Sequence, residues 1–121
     1  MGKAPSSRAA GVTMLTGSET TVFSALVAPS QLDPCTIVGS ANVTPGTGTT
    51  GITVRCKNQV GTPIGTAQQV TVIAGSPISF SWAFLDVTQV NTSYQITMTQ
   101  TGTPSANGTV NEAVSYAIAD G

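Results

Sequence analysis

Residues 78–84 read Ile-Ser-Phe-Ser-Trp-Ala-Phe, so Ile78, Phe80, Trp82 and Phe84 alternate with Ser79, Ser81 and Ala83. Side chains two apart lie on one face of an extended chain, so this stretch predicts a strand with one aromatic face buried and one small, polar face outside. The same two-residue period recurs on both sides of it. Tyr94, Ile96 and Met98 alternate with Gln95, Thr97 and Thr99, and Val110, Val114, Tyr116 and Ile118 close the chain. Upstream, residues 67–74 alternate through Val70 and Val72 and stop at Gly75-Ser76-Pro77. Residues 51–57 place Ile52, Val54 and Cys56 opposite Arg55 and Lys57, and residues 35–43 align Cys35, Ile37, Ala41 and Val43.

The run Thr44-Pro45-Gly46-Thr47-Gly48 separates those last two stretches. Proline presets one turn dihedral and glycine permits the next, so the two stretches are expected to pair as a hairpin. Residues 20–28 form the first strand, apolar on both sides at Val22, Phe23, Leu26 and Val27, and Pro29 ends it. No window shows the helical period. The expected fold is all-β: an antiparallel, jelly-roll-like β-sandwich of about seven to eight strands. Its expected core is Ile37, Val54, Val70, Val72, Phe80, Trp82, Phe84, Tyr94, Ile96, Met98, Val114, Tyr116 and Ile118.

Residues 1–19 differ from the rest. They hold two of the four basic residues, Lys3 and Arg8, and small apolar spots at Val12 and Met14-Leu15, without a sustained period. This reads as an extended N-terminal arm on a sandwich domain of residues 20–121. The start, MGKAPSSRAAGV, lacks the apolar stretch of about 7 to 15 residues of a secretory leader. No run approaches the roughly 20 apolar residues of a membrane-spanning helix, so no membrane partner is expected.

Composition narrows the chemistry. The 121 residues include 20 Thr, 13 Val, 13 Gly and 12 Ser, no His, and a net charge of -1. Four scattered Lys and Arg cannot neutralise a run of phosphates, so no nucleic-acid partner is expected. Two Cys without His do not make a zinc site, and a Ser-His or Cys-His mechanism lacks its base. Gly46-Thr47-Gly48 has neither the helix nor the lysine of a phosphate loop, and no cofactor is expected. Asp33 before Pro34, and Asp86 before Val87-Thr88, read as turn caps. Glu112 falls in phase with Val110, Val114 and Tyr116, which suits a strand end or a subunit contact better than catalysis. The chain is not expected to be an enzyme.

Charged residues make up 7% of the chain, where about 25% is usual. With 40% hydrophobic residues the chain is not disordered, and the deficit suits a protein that lives inside an assembly. Cys35 and Cys56 sit on the apolar faces of their strands, either as a disulfide across the expected hairpin or as two buried reduced thiols. Without a leader, the thiols are preferred.

The phrases ANVTPGTGTTGITVRCKN (41–58), GTAQQVTVIAGSPISFSWAFLD (65–86) and SYQITMTQTGTPSANGTVNEAVSYAIA (93–119) resemble the small jelly-roll domains of tailed-phage virions, the head decoration or cement proteins and head-fibre domains. The loop DVTQVNT (86–92) departs from that pattern in lacking Gly and Pro. The resemblance implies a TNF-like trimer on the outer surface of a capsid, clamping adjacent major capsid subunits without enzymatic activity. On this reading Lys3, Arg8, Val12, Met14, Leu15, Phe23 and Glu112 are interface residues, and the arm reaches over a neighbour. Two other readings use the same sandwich: a carbohydrate- or receptor-binding module of a fibre or secreted protein, and a pilin- or adhesin-like subunit.

Overall fold

The computed structural model describes residues 2–29 and 33–119. Among these residues the chain forms strands β1 (Gly2–Lys3), β2 (Ser7–Met14), β3 (Thr20–Val27), β4 (Cys35–Thr44), β5 (Thr49–Asn58), β6 (Pro63–Thr71), β7 (Ile78–Asp86), β8 (Ser93–Gly102) and β9 (Gly108–Ala119), with no helix. One sheet, here the front sheet, has the order β1-β9-β4-β7, with β2 also on β9; the back sheet has the order β3-β8-β5-β6. All pairs are antiparallel. β1 and β2 share one edge of β9, from Gly2↔Ala119 to Met14↔Gly108, with Pro5 in the break between them. From β2 onward every connection crosses between sheets except β5 to β6. That is the strand order of an eight-stranded jelly roll, an antiparallel sandwich as expected.

β7 explains why residues 78–84 are so legible. It pairs with β4 over nine consecutive residues, from Cys35↔Asp86 to Val43↔Ile78, without a register shift. An unbroken ladder preserves the two-residue period, so Trp82 and Phe84 point inward and are buried. Opposite Trp82 is Gly39. A Cβ there would lie 2.3 Å from Cζ2 of the indole, so the ring occupies the space a side chain would need. Gly39→Ala is expected to destabilise the fold by about 1–3 kcal/mol, because Trp82 is enclosed and cannot move aside freely. A urea unfolding midpoint equal to that of the parent would show that the indole yields.

Several expectations are corrected. Residues 35–43 and 51–57 are not a hairpin: β4 pairs with β7 and β9, and β5 with β6 and β8. A turn signal says that the chain reverses, not which sheet it re-enters. Residues 44–48 carry it across, so that both apolar faces meet in one core. Cys35 and Cys56 are therefore buried thiols on opposite sheets. The strand expected at 67–74 runs instead over Pro63–Thr71.

The expected arm is also corrected, since β2 is an edge strand of the domain itself. Its residue Met14 is fully buried in the core rather than offered to a neighbour. Gly11, at φ 63, breaks the period and lets Ala9 and Val12 both lean on the core. Phe23 is likewise core, not interface. Register shifts in β3 between Thr21 and Phe23, and again before Leu26, turn the adjacent Val22 and Phe23 both inward.

The last strand holds the largest phase error. Against β4, Glu112 faces Asn42 and Val110 faces Val43, so Asn111 is an extra, bulged residue. Val110 is buried, but beyond the bulge it is Ala113, Ser115, Ala117 and Ala119 that face inward. Val114, Tyr116 and Ile118, expected in the core, are half-buried on the outer face. Val70 and Phe80 are half-buried at the margin of the core. The core itself is Ile37, Val43, Ile52, Val54, Leu26, Ile96, Met98 and Val110 around the aromatic residues, each aliphatic side chain contributing about 1.5–3 kcal/mol.

Candidate functional site

The two outer faces differ in chemistry. The back sheet presents hydroxyls, amides and paired charge. Lys57 forms an ion pair with Glu19, Thr97 Oγ1 donates to Glu19 Oε2 (2.8 Å), and Thr53 Oγ1 donates to Gln69 Oε1 (2.9 Å). The hydrogen bond from Lys57 holds the Glu19 carboxyl below its ordinary value, against partial burial that pushes it up. Thr53 and Thr97 are themselves buried, so the polar groups of this face satisfy one another.

The front sheet is different. Its outer register rows join Leu85, Thr36 and Ile118, and then Ala83, Val38 and Tyr116. These side chains make an apolar strip across the sheet toward the end where β4 begins and β7 stops, with Leu85 55% exposed. Lys3 lies over the Tyr116 ring at 4.3 Å from its centroid, a cation–π contact that pins β1 to β9. Toward the other end of the face a shallow cleft of about 440 Å³ is lined by Arg8, Ser40, Asn42, Ser79, Glu112 and Val114. Register sets Arg8 beside Val114 and Ala10 beside Glu112, so β2 and β9 bring these charges to one place.

Of the residues expected at an interface, Lys3, Arg8 and Glu112 thus share this face, while Val12 is half-buried beneath it. Leu15 lies past the end of β2, at the far end of the sandwich. The bulge at Asn111 resolves the oddity of Glu112. It is in phase with Val114, Tyr116 and Ile118 because all four face outward.

One buried polar cluster escapes sequence reasoning. Asp86, 3% exposed, accepts hydrogen bonds from Tyr94 Oη (2.6 Å), Asn91 Nδ2 (2.7 Å), Thr88 N (3.0 Å) and Thr88 Oγ1 (2.7 Å). Asn58 extends the network. Its Nδ2 donates to Asn91 Oδ1 (3.0 Å), and its Oδ1 accepts from the amides of Val60 and Thr62. Burial pushes the Asp86 carboxyl up, but the hydrogen bonds from Tyr94, Asn91 and Thr88 outweigh it and hold the pKa at about 2. Burial, and then the bond to Asp86, raises the Tyr94 hydroxyl. The turn cap on Thr88 was legible in the sequence. The partners Tyr94 and Asn91 follow only from how β7, β8 and their loop fold together.

This cluster is structural chemistry. The Tyr94 proton is committed to Asp86, and the Cys56 thiol is pushed up to about 12 by burial and the Asp86 charge, so it is a poor nucleophile. Among the described residues there is no group of three or more His, Cys, Asp or Glu placed to hold a metal ion. What the arrangement offers is surface: a rigid sandwich with an apolar strip and a small polar cleft.

The fold and these surfaces define the class, an eight-stranded jelly-roll sandwich. No protein-family model matches the chain, and no curated protein matches it by sequence. Solved structures share its fold. The VP2 protein of infectious bursal disease virus, in T=1 particles, aligns with a TM-score of 0.58 at 11% identity over 95% of this chain and 32% of VP2. The C-terminal CBM6 of LamC from Zobellia galactanivorans aligns at 0.51 and 9% identity, over 93% and 99% of the two chains. An arabinose-bound α-L-arabinofuranosidase aligns at 0.53 and 12% identity, over 88% of this chain and 18% of the enzyme. The chain thus spans about a third of the VP2 length. At these identities the likeness is one of fold.

Proposed function

We propose that this chain is a structural virion protein that decorates and cements the capsid of a tailed phage. In this reading it sits on the outer surface, bound between major capsid protein subunits, as a homotrimer assembled in the host cytoplasm. The observation that carries the reading is the outer face of the front sheet. Val38, Tyr116, Ile118 and Leu85 form an apolar strip flanked by Lys3, Arg8 and Glu112, on a chain with few other charges. Contiguous exposed apolar surface rimmed by polar groups marks a protein contact. The jelly-roll fold shared with VP2, and the resemblance of residues 20–119 to decoration domains, point the same way.

The mechanism is mechanical. A rigid face buries weakly polar surface across a seam, and several copies multiply small contacts into a firm hold. Strand addition by a free arm has no place in it, because β2 is already paired. The other sheet edges are also blunted. β3 is irregular, β6 carries Pro63 and a left-handed Gly65, and Gln68 Nε2 reaches across to the Ala83 carbonyl of β7. That counts against donor-strand assembly of the pilin kind. Co-sedimentation with emptied phage heads tests the proposal: saturable binding, weakened at least tenfold by Tyr116→Asp, is the expected result. A full-length folded chain that stays in the supernatant would overturn it.

A second reading is favoured by the cleft alone. Arg8, Glu112, Asn42 and two serines are groups that hydrogen-bond sugar hydroxyls, as expected of a carbohydrate-binding module. Saturable glycan binding lost on Arg8→Ala would move the proposal to that function.

A further inference from the structure

The chain has five asparagines: Asn42, Asn58, Asn91, Asn107 and Asn111. Four of them have their side-chain amide tied down. Asn42 Nδ2 donates to Ser79 Oγ (3.0 Å), Asn58 Nδ2 to Asn91 Oδ1, Asn91 Nδ2 to Asp86 Oδ2, and Asn111 Nδ2 to Asn42 Oδ1 (2.9 Å). Asn107 is the exception. It is exposed in the β8–β9 loop, and its Nδ2 has no hydrogen-bond partner among the described residues. Its Oδ1 accepts two hydrogen bonds from Thr16, one from the backbone N (2.8 Å) and one from Oγ1 (2.7 Å). The residue that follows it is Gly108.

These three features are the parts of one reaction. The backbone N of Gly108 attacks Cγ of Asn107, so that the N–Cγ bond forms and the Cγ–Nδ2 bond breaks. The amide leaves as ammonia with the proton of the Gly108 N–H, and a five-membered succinimide remains. Water then opens the ring at either carbonyl, giving aspartate or isoaspartate, and no oxidant or reductant is consumed. Glycine leaves the attacking nitrogen unshielded because it has no side chain. The two Thr16 donors sit where negative charge gathers on Oδ1 in the tetrahedral intermediate, as donors of an oxyanion hole do. The free Nδ2 departs without breaking a hydrogen bond, whereas each of the other four amides would have to give one up. The fold also holds the glycine in place. A Cβ at position 108 would lie 2.5 Å from Gln100 Oε1, 2.8 Å from the Thr44 carbonyl oxygen and 2.9 Å from Met14 Cε.

We propose that Asn107 is a site of self-modification, converted in the folded protein to aspartate and isoaspartate through a succinimide with Gly108, with Thr16 as the oxyanion donor. The aspartate product keeps an acceptor for Thr16. The isoaspartate product adds a methylene to the main chain just before the Gly108↔Met14 pair, where there is no spare room, so this form is expected to melt at a lower temperature. The test is to incubate the full-length chain for weeks in warm, mildly alkaline buffer. Intact mass, ion exchange and peptide mapping follow the products. A species about one mass unit heavier and one charge more negative is expected, mapped to Asn107, with the other four asparagines unchanged. Thr16→Val removes the Oγ1 donor at an exposed position, and is expected to slow the conversion about three- to tenfold with an unchanged circular-dichroism spectrum. Asn107→Gln, whose attack would need a larger ring, is expected to stay unmodified. A parent whose Asn107 survives the incubation intact overturns the site. Conversion as fast or faster in Thr16→Val overturns the role of Thr16, and with it the claim that the fold promotes the reaction.

Discussion

Asp86→Ala is expected to lose about 3–5 kcal/mol of folding stability, a drop of roughly 10–20 °C in melting temperature. The carboxylate is enclosed and takes four hydrogen bonds from Tyr94, Asn91 and Thr88. Truncation leaves those donors facing a void in a region closed to water. Unsatisfied buried donors are penalised more heavily than the net worth of the bonds they lose. Asn58, which holds both Asn91 and the β5–β6 turn, loses its own support in turn. Chemical unfolding followed by the fluorescence of Trp82 measures the loss. A variant within about 1 kcal/mol of the parent would show that the cluster is decorative.

The same cluster sets an acid limit. The Asp86 pKa is about 2 in the folded protein, below its ordinary value of 3.8. Between those values the unfolded chain binds more protons than the folded one, so stability falls as pH falls. The contribution is fully present above about pH 4 and is lost as pH drops through about 2. Asp86→Asn is expected to remove this part of the pH dependence, which unfolding midpoints measured from pH 5 to 2 would reveal.

Removing residues 1–19 is expected to abolish cooperative folding. Had those residues been a free arm, the remaining sandwich would melt as before. Instead the deletion strips β1 and β2 from the edge of β9, a ladder running from Ser7↔Ser115 to Met14↔Gly108. Met14 also leaves the core, and a buried methionine alone is worth about 2–5 kcal/mol. The loss of the whole strand approaches the total stability of a domain, about 5–15 kcal/mol. Amide chemical-shift dispersion reports the outcome. A truncated chain with a dispersed spectrum and a sharp melt would make the strand dispensable.

What could be read from residues alone follows from where the two-residue period survives. β7 and β8 keep it, and Trp82, Phe84, Tyr94, Ile96 and Met98 are buried as their alternation implies. β9 loses it at Asn111, β2 at Gly11 and β3 at Val22-Phe23. Each irregularity flips every side chain that follows it, which is why Val114, Tyr116 and Ile118 changed sides and Met14 was mistaken for surface. A bulge depends on pairing with a distant strand, and no local residue pattern announces it. The β7–β8 loop shows the same principle. It lacks glycine, and Gln89 itself takes the left-handed conformation at φ 61. Of the front-face residues, Lys3, Arg8 and Glu112 stand out in the sequence because so neutral a chain has few charges.

The pairing of β2 with β9 joins residues that lie about a hundred positions apart in the chain, as in Ser7↔Ser115. The ribosome releases β2 early, and it must wait, unpaired, until β9 has been translated. Long-range strand closure of this kind folds in milliseconds to seconds rather than microseconds. During that delay the alternating apolar faces are open to the surrounding cell, and chaperone capacity during synthesis, more than the final stability of the sandwich, is expected to govern how much native protein accumulates.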